Sequence, residues 1–334
     1  MIITKTPLRI SFFGGGTDYQ KFFEEYGGCV ICTTFDKYVY VTVRHLQRFF
    51  NYKNQITYGR IEQTNSVEEI QHPSVREAMK YLDMHDLRIV YEADIPARSG
   101  IGSSSSFAVG MLHAFYALKG KYVSKQKLAE DAIYLERTLC KESGGWQDQV
   151  ACAFGGLNRI DFSRDGFTIK PVLISKERKN LLNKHLMLFF TGFTRNSFDI
   201  AQEQISNIKD KISNLKELKK IAEEGEKILV SKGDICDFGR LLNYNWELKR
   251  GLSNKVSNDY IDSLYAKALK CGAIGGKILG AGGGGFLLLF APPERQKALL
   301  KEFKNLIYVP FQFENNGAEV LYYYPEEYDE IKDT

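Results

Sequence analysis

The sequence predicts a protein of two domains that mix helices with strands. Its 334 residues suit one large or two medium domains, two being the better expectation at this length. In the first half, strand signals stop at glycine-rich turns and run on into helices. A lysine-rich boundary at residues 174–184 then precedes a second half in which long amphipathic helices surround short apolar strands. Apolar residues make up 44% and charged residues 26%, as in ordinary globular proteins, so a core is available. Forty-five Lys and Arg against 41 Asp and Glu leave a formal charge of only +4, which argues for neither nucleic acid nor a membrane surface as partner. The opening residues lack a charged segment followed by an apolar one, and no window reaches the ~18 apolar residues that a membrane span needs. A cytoplasmic location is the expectation, and the six cysteines then read as reduced, buried thiols. Cys29 and Cys32 form a CxxC on a strand, which turns the two thiols to opposite faces and favours a structural role.

The first strand, residues 2–13, stops at Gly14-Gly15-Gly16, a run that ends any regular element. These glycines let a ligand lie against bare backbone, and Asp18 follows them; Thr17 or Asp18 could simply cap a helix at 19–26, but a strand-to-helix turn that offers both Arg9 and Asp18 favours a functional role. Strands at 30–34 and 38–43, rich in Tyr, Val and Thr, precede an irregular segment to about residue 62. A helix at 73–81 and a strand at 87–93 lead to residues 95–108, IPARSGIGSSSSFA, around which the chain is organised. Gly100 and Gly102 permit a tight turn, and the serines after them leave N–H groups pointing outward at the head of a buried helix reaching residue 118. Such a terminus prefers an anion, and the stretch reads as a phosphate cradle. It is not a Walker A loop, because the nearest approach to one, Gly276-Lys277, is followed by Ile278 where Ser or Thr is required. Nor is it a dinucleotide fingerprint, since the third glycine is missing.

Ser124 caps a helix at 125–139 in which Leu128, Ala132, Leu135 and Leu139 recur at helical spacing, with Glu136 beside that stripe. Asp148 heads a largely apolar helix between the pairs Gly144-Gly145 and Gly155-Gly156, as a cap or as a rigidly held catalytic carboxylate. A strand at 167–173 precedes the boundary. The second half opens with a strand at 186–190 and a polar loop at 191–197, and continues with amphipathic helices at 199–232, 234–252 and 259–270, their lysines read as solvated. The glycine-rich run at 272–285 leads into a strand at 286–290, not a helix. That excludes a helix-dipole phosphate site and suggests close approach of another backbone segment or of the ligand. A helix at 292–303 and closing strands at 307–313 and 320–324 complete the chain.

Three glycine motifs in this order, at residues 7–19, 96–106 and 277–285, resemble those of the GHMP small-molecule kinases. Within that family the sugar branch is most similar, on LRISFFGGGTDY at 8–19, GGWQDQ at 144–149 and KILGAGGGGF at 277–286. Galactokinases carry Glu-His where this chain has Gly15-Gly16, a difference that speaks against galactose and leaves room for a larger sugar. The resemblance implies a two-domain α+β GHMP kinase fold. Its N-terminal α/β domain, residues 1–175, would carry the ATP cradle and the catalytic Asp; its C-terminal ferredoxin-like domain, residues 176–334, would carry the third glycine motif, with the active site between them.

The same resemblance implies ATP and Mg2+ as cofactors, and a small-molecule sugar phosphate and ATP as the partners. The oligomeric state stays open, a homodimer among the alternatives. The implied reaction is ATP-dependent phosphorylation of the anomeric hydroxyl of D-glycero-D-manno-heptose 7-phosphate to the 1,7-bisphosphate, toward nucleotide-activated heptose for surface glycans. An anomeric kinase of fucose or another hexose is the alternative within the class, and a sugar and ATP sensor without turnover is the alternative outside it. By resemblance, Arg98, Ser99, Gly100, Ile101, Gly102, Ser103, Ser104, Ser105 and Ser106 would hold the ATP phosphates, and Ser104 and Glu136 would bind Mg2+. Asp148 would orient the acceptor hydroxyl, as general base or as electrostatic anchor, and Arg9 would pair with Asp148 or bridge to the transferred phosphoryl group. Gly15, Gly16, Thr17, Asp18 and Gly283 would contact the substrate, and Arg195 its distal phosphate.

Overall fold

The computed structural model describes residues 1–47, 49–97, 99–192 and 197–325. The first sheet is built on β1 (Ile2–Phe13), which leads through the glycine turn and α1 (Gln20–Tyr26) into β2 (Gly28–His45), its antiparallel neighbour. β2 is one continuous strand where the sequence predicts two. The irregularity expected near residue 36 is absorbed by a bulge in β2, where Asp36 and Lys37 lie between the partners of Leu8 and Pro7, so the pairing continues past it. A hairpin of β3 (Asn54–Thr57) and β4 (Ile61–Thr64) replaces the irregular segment. After α2 (Pro73–Tyr81), β5 (Leu87–Ala93) pairs with β2 and ends at the cradle.

The helix that the cradle opens, α3 (Ser103–Leu118), is buried on almost every face because it lies across β1 and β2. Gly110 permits the contact: a Cβ there would fall 2.8 Å from Thr6 Oγ1, and the Gly110 carbonyl accepts the Thr4 hydroxyl at 2.9 Å. Ser124 Oγ accepts the Lys127 N–H at 3.2 Å and caps α4 (Lys125–Ile133). The helix expected to continue to residue 139 instead widens into a π-helical turn, Tyr134–Leu139, a feature that often marks functional sites. α5 (Gln147–Phe154) follows, then β6 (Asn158–Ser163), an additional strand beyond those the sequence predicts, which pairs with β2, and β7 (Gly166–Pro171).

The lysine-rich boundary is itself a helix, α6 (Lys176–His185), capped by Ser175. The second sheet begins with β8 (Leu186–Phe190). Helices α7 (Ser197–Ser206), α8 (Ile212–Val230), α9 (Cys236–Arg250) and α10 (Asp259–Lys270) come next, then β9 (Gly275–Ile278), β10 (Phe286–Phe290), α11 (Pro293–Glu302) and β11 (Ile307–Tyr308). The single helix expected over 199–232 is broken by a 3-10 turn, Ile208–Lys211. Ser206 and Asn207 favour such a break, since Ser206 Oγ turns back to the Glu203 carbonyl at 2.8 Å. The strand order β11-β8-β10-β9, antiparallel at each pairing, is that of a ferredoxin-like unit, as expected. Of the closing strands, β11 alone joins this sheet: β12 (Phe313–Glu314) pairs with β2, and β13 (Glu319–Tyr323) with β1.

The two halves share one core. Phe12 and Phe13 from β1 pack edge-on against Phe238 of α9 at 5.2 and 4.8 Å, and a Cβ on Gly225 of α8 would strike the Phe13 ring. Along β10, Leu287 and Leu289 turn to a separate outer cluster while Phe286, Leu288 and Phe290 face the shared core, the alternation expected of a strand covered on both faces. The site between the halves is therefore framed by continuous packing. Among the described residues no helix is long and apolar enough to cross a membrane.

Candidate active site

Arg9 holds the site together. It leaves β1 almost fully buried, and its backbone N–H donates to the Ile101 carbonyl at 3.0 Å. Its Nε and Nη2 donate to Asp148 Oδ1 and Oδ2 at 2.7 and 2.6 Å, a bidentate pair, while Nη1 donates to the Gly100 carbonyl at 2.8 Å. One guanidinium thus fixes the Asp148 carboxylate relative to the cradle. Gly102, at φ +79°, makes room for it, since a Cβ there would sit 3.0 Å from Arg9 Cγ. Burial alone would lower the Arg9 pKa, but the adjacent Asp148 carboxylate outweighs it and the guanidinium is held above its ordinary value. Asp148 sits in the first turn of α5, and its side chain is 24% exposed against 3% for Arg9, so the open end of the pair is the carboxylate.

Asp18 is buried beside this pair and accepts the N–H groups of Gly16 at 2.9 Å and Gln147 at 3.3 Å. Gly145 lets it in: a Cβ there would fall 1.8 Å from Asp18 Oδ2. Burial pushes the Asp18 carboxyl up, the two N–H donors oppose this, and the Asp148 charge adds to the rise. Thr17 does not face the site. Its hydroxyl donates to the Gly14 and Cys29 carbonyls and accepts the Cys29 N–H, which ties the turn to β2. The Cα face of Gly16 likewise looks onto Leu215 and Leu252, and the Gly283 N–H is engaged by the Val256 carbonyl. Arg98 and Arg195 lie outside the described residues.

In the cradle the serines have separate surroundings. Ser99 Oγ donates to the Pro96 carbonyl at 2.8 Å and Ser106 Oγ to that of Pro7 at 2.9 Å, so these two brace the loop. No side chain caps α3, whose N-cap is Gly102, and the N–H groups at Ser103 to Ser105 start the helix without a capping acceptor. Ser104 is exposed; its hydroxyl donates at 3.0 Å to Oε1 of Glu136, whose Oε2 accepts Ser105 Oγ at 2.7 Å and the Gln149 amide. The π-helical turn carries Glu136 inward to this point. A hydroxyl and a carboxylate 3.0 Å apart match two adjacent ligands of an octahedral ion at ~2.1 Å. No group of three His, Cys, Asp or Glu among the described residues is placed to hold a metal. Waters and phosphate oxygens would complete such a shell, as suits an ion that dehydrates reluctantly.

The third glycine run buttresses the cradle through backbone contact. A Cβ on Gly100 would fall 2.6 Å from the Leu279 carbonyl, one on Gly280 2.6 Å from Gly100 Cα, and one on Gly285 2.2 Å from the Ser99 carbonyl. Of the two readings left open for that run, backbone approach is the one observed.

Two lysines went unassigned in the sequence. Lys277 is fully buried and donates to the Phe12 carbonyl at 2.9 Å; Lys249, on α9, donates to the Gly280 carbonyl at 2.6 Å. The sequence predicts the lysines of α9 to be solvated, yet Leu242 and Trp246 precede Lys249 by seven and three residues and are both buried, so it lies on the apolar stripe of its helix. Burial pushes Lys249 down to about 8, with Arg9 adding to the fall and Asp18 and Asp148 opposing it. Burial, Lys249 and Arg9 together hold Lys277 well below the ordinary lysine value. Because these folded-state pKa values lie below the unfolded one, the unfolded chain binds more protons in the interval, and their contribution to stability grows as pH rises toward 10.5. Thermal unfolding is expected to show the wild-type Tm climbing relative to that of Lys277→Met between pH 7 and 10; a constant difference counts against it.

This fold and site define a GHMP kinase. The model of the GHMP kinases N terminal domain matches residues 70–156 and that of the GHMP kinases C terminal domain matches residues 214–308, together more than half of the chain, which belongs to this family. Among its relatives is the D-glycero-alpha-D-manno-heptose 7-phosphate kinase of Campylobacter jejuni, 28% identical over 95% of this chain and 98% of that protein. The L-fucokinase/L-fucose-1-P guanylyltransferase of Bacteroides fragilis is 25% identical over 86% of this chain, which spans 34% of that longer protein. A crystal structure of a D-glycero-D-manno-heptose 1-phosphate kinase from Bacteroides thetaiotaomicron superposes with a TM-score of 0.79 at 24% identity, covering 97% of this chain and all of that one.

Proposed function

We propose that this chain is an ATP-dependent sugar kinase that phosphorylates the anomeric hydroxyl of D-glycero-D-manno-heptose 7-phosphate and yields the 1,7-bisphosphate. The observation that carries the kinase reading is the Arg9 bridge, which couples an open carboxylate to a phosphate cradle through one rigid guanidinium. Phosphoryl transfer asks a protein for alignment and charge neutralisation more than for covalent chemistry. The uncapped N–H groups at the start of α3 receive phosphate oxygens, and Asp148 accepts a hydrogen bond from the acceptor hydroxyl and aims its oxygen at the terminal phosphorus. As the new O–P bond forms, the bond to the departing ADP oxygen breaks and the hydroxyl proton passes to Asp148. Arg9 keeps that carboxylate oriented throughout. Ser104 and Glu136 would hold Mg2+, which supplies charge neutralisation of the phosphates when bound.

The heptose 7-phosphate assignment is supported by the Campylobacter jejuni relative, similar over nearly its whole length. The fucokinase relative makes fucose the second reading. The Arg9–Asp148 pair and the Ser104–Glu136 pair meet the same cradle, one at Gly100 and the other at the head of α3, which favours turnover over sensing. Mg2+-dependent ADP release measured against heptose 7-phosphate, fucose, galactose and mevalonate tests this, with the highest kcat/KM expected for heptose 7-phosphate. Better turnover of an unphosphorylated sugar overturns the assignment.

A further inference from the structure

In the first glycine run, two of the three glycines are demanded by the backbone. Gly14 and Gly16 have φ of +80° and +106°, and a Cβ on Gly14 would fall 1.9 Å from the Cys29 carbonyl oxygen. Gly15 has neither reason. It is absent from the positive-φ residues, and a Cβ there would meet Lys249 Nζ at 3.6 Å, Gln147 Nε2 at 3.7 Å and Ser11 Oγ at 3.8 Å, all ordinary contact distances. The fold would accept alanine at this position, and glycine leaves a methyl-sized gap there instead.

What lines that space is polar and short of partners. Ser11 Oγ is buried, with 4% of the residue exposed, and makes no hydrogen bond; Gln147 Oε1 is buried and equally unpartnered. Among the described residues Lys249 spends one N–H, on the Gly280 carbonyl, and has two more to give. Buried polar atoms left unmet are costly, and both belong to side chains that meet over Gly15, Ser11 through Oγ and Gln147 through its Nε2 end, beside a buried ammonium. This place adjoins the chemistry, since Gln147 precedes Asp148 in the chain and its N–H donates to Asp18.

We propose that Lys249, Gln147 and Ser11 form the acceptor subsite over Gly15, gripping adjacent hydroxyls of the sugar beside the hydroxyl that Asp148 orients. The chemistry selects a polyol. The ammonium needs an acceptor and Gln147 Oε1 needs a donor, while Ser11 Oγ serves as either; neighbouring hydroxyls offer both roles, whereas a carboxylate or phosphate would set its charge against Oε1. Lys249 lies outside all three glycine motifs and is here the specificity-determining residue. The proposal rests on the sugar-kinase reading but not on which sugar is used.

The test takes whichever acceptor the wild-type enzyme turns over best and compares Gly15→Ala and Lys249→Met with it, together with Mg-ATP binding and Tm. Gly15→Ala is expected to raise the acceptor KM about tenfold or more, and Lys249→Met to lower acceptor kcat/KM about 30-fold, with the ATP KM within about twofold in both. An acceptor KM unmoved by Gly15→Ala, or an equal rise in the ATP KM, overturns the subsite. Gly15→Ala decides even if Lys249→Met fails to fold, because alanine neither strains nor crowds the unliganded protein. Failure of the heptose assignment shows separately, as a different best acceptor for the wild type.

Discussion

Asp148→Asn is expected to lower kcat by about 10²- to 10⁴-fold while leaving the ATP KM within about twofold. Asparagine keeps the shape of the side chain and one oxygen for Arg9, but it sets an amide N–H2 against one of the two guanidinium N–H donors now received by the carboxylate. Its weakly basic oxygen can neither take up the acceptor proton nor stabilise developing positive charge on that hydroxyl. The third contact of Arg9, to the Gly100 carbonyl, does not involve residue 148, so the cradle should keep its conformation and its nucleotide. A cost in stability comes with the change, because Arg9 is buried and loses its counter-charge. Steady-state ADP release, together with calorimetric binding of Mg-ATP, checks both halves of the expectation. An active variant removes Asp148 from the reacting centre, and lost nucleotide binding makes its role structural.

The residues read most directly from the sequence are those whose work is local. Gly100 and Gly102 permit a backbone turn, and the serines after them head a helix; both properties depend on neighbours a few positions away. Asp148 was conspicuous because glycine pairs bracket its helix. Lys249 and Lys277 were not legible, since burial of a lysine depends on what distant segments lay over it: β1 supplies the Phe12 carbonyl for one, and the turn after β9 supplies Gly280 for the other. The spacing of Lys249 to Trp246 and Leu242 was the available signal, outweighed by the surrounding charge. Strand identity follows the same division. Alternation revealed β1 and β5, but nothing in residues 313–323 says that they pair with β2 and β1 instead of closing the second sheet, because partner choice is settled by packing and not by pattern. The π-helical turn hides in the same way: its residues carry ordinary helical spacing, and the widening is visible only in the turn of Glu136 toward Ser104 and Ser105.

That turn sets the second large effect. Glu136→Gln is expected to raise the Mg2+ concentration needed for half-maximal rate by about 10- to 100-fold and to lower kcat/KM with it. The carboxylate now accepts from Ser104, Ser105 and Gln149 and lies 3.7 Å from an Arg137 nitrogen, an arrangement that gives its buried oxygens partners while aiming Oε1 at the exposed Ser104 hydroxyl. An amide at this position keeps much of the packing but removes the charge that a hard cation requires. A purely structural Glu136 predicts something else: a lower Tm, with the Mg2+ requirement of the folded fraction unchanged. The two are separated without turnover by following the Tm gained from a non-hydrolysable ATP analogue as Mg2+ is added. The wild type should gain stability at low Mg2+, Glu136→Gln only at high Mg2+, and Ser104→Ala in between, since it loses a neutral ligand that water can replace. Identical Mg2+ profiles for wild type and Glu136→Gln would leave the carboxylate as an acceptor that fastens the π-helical turn to α3 and α5.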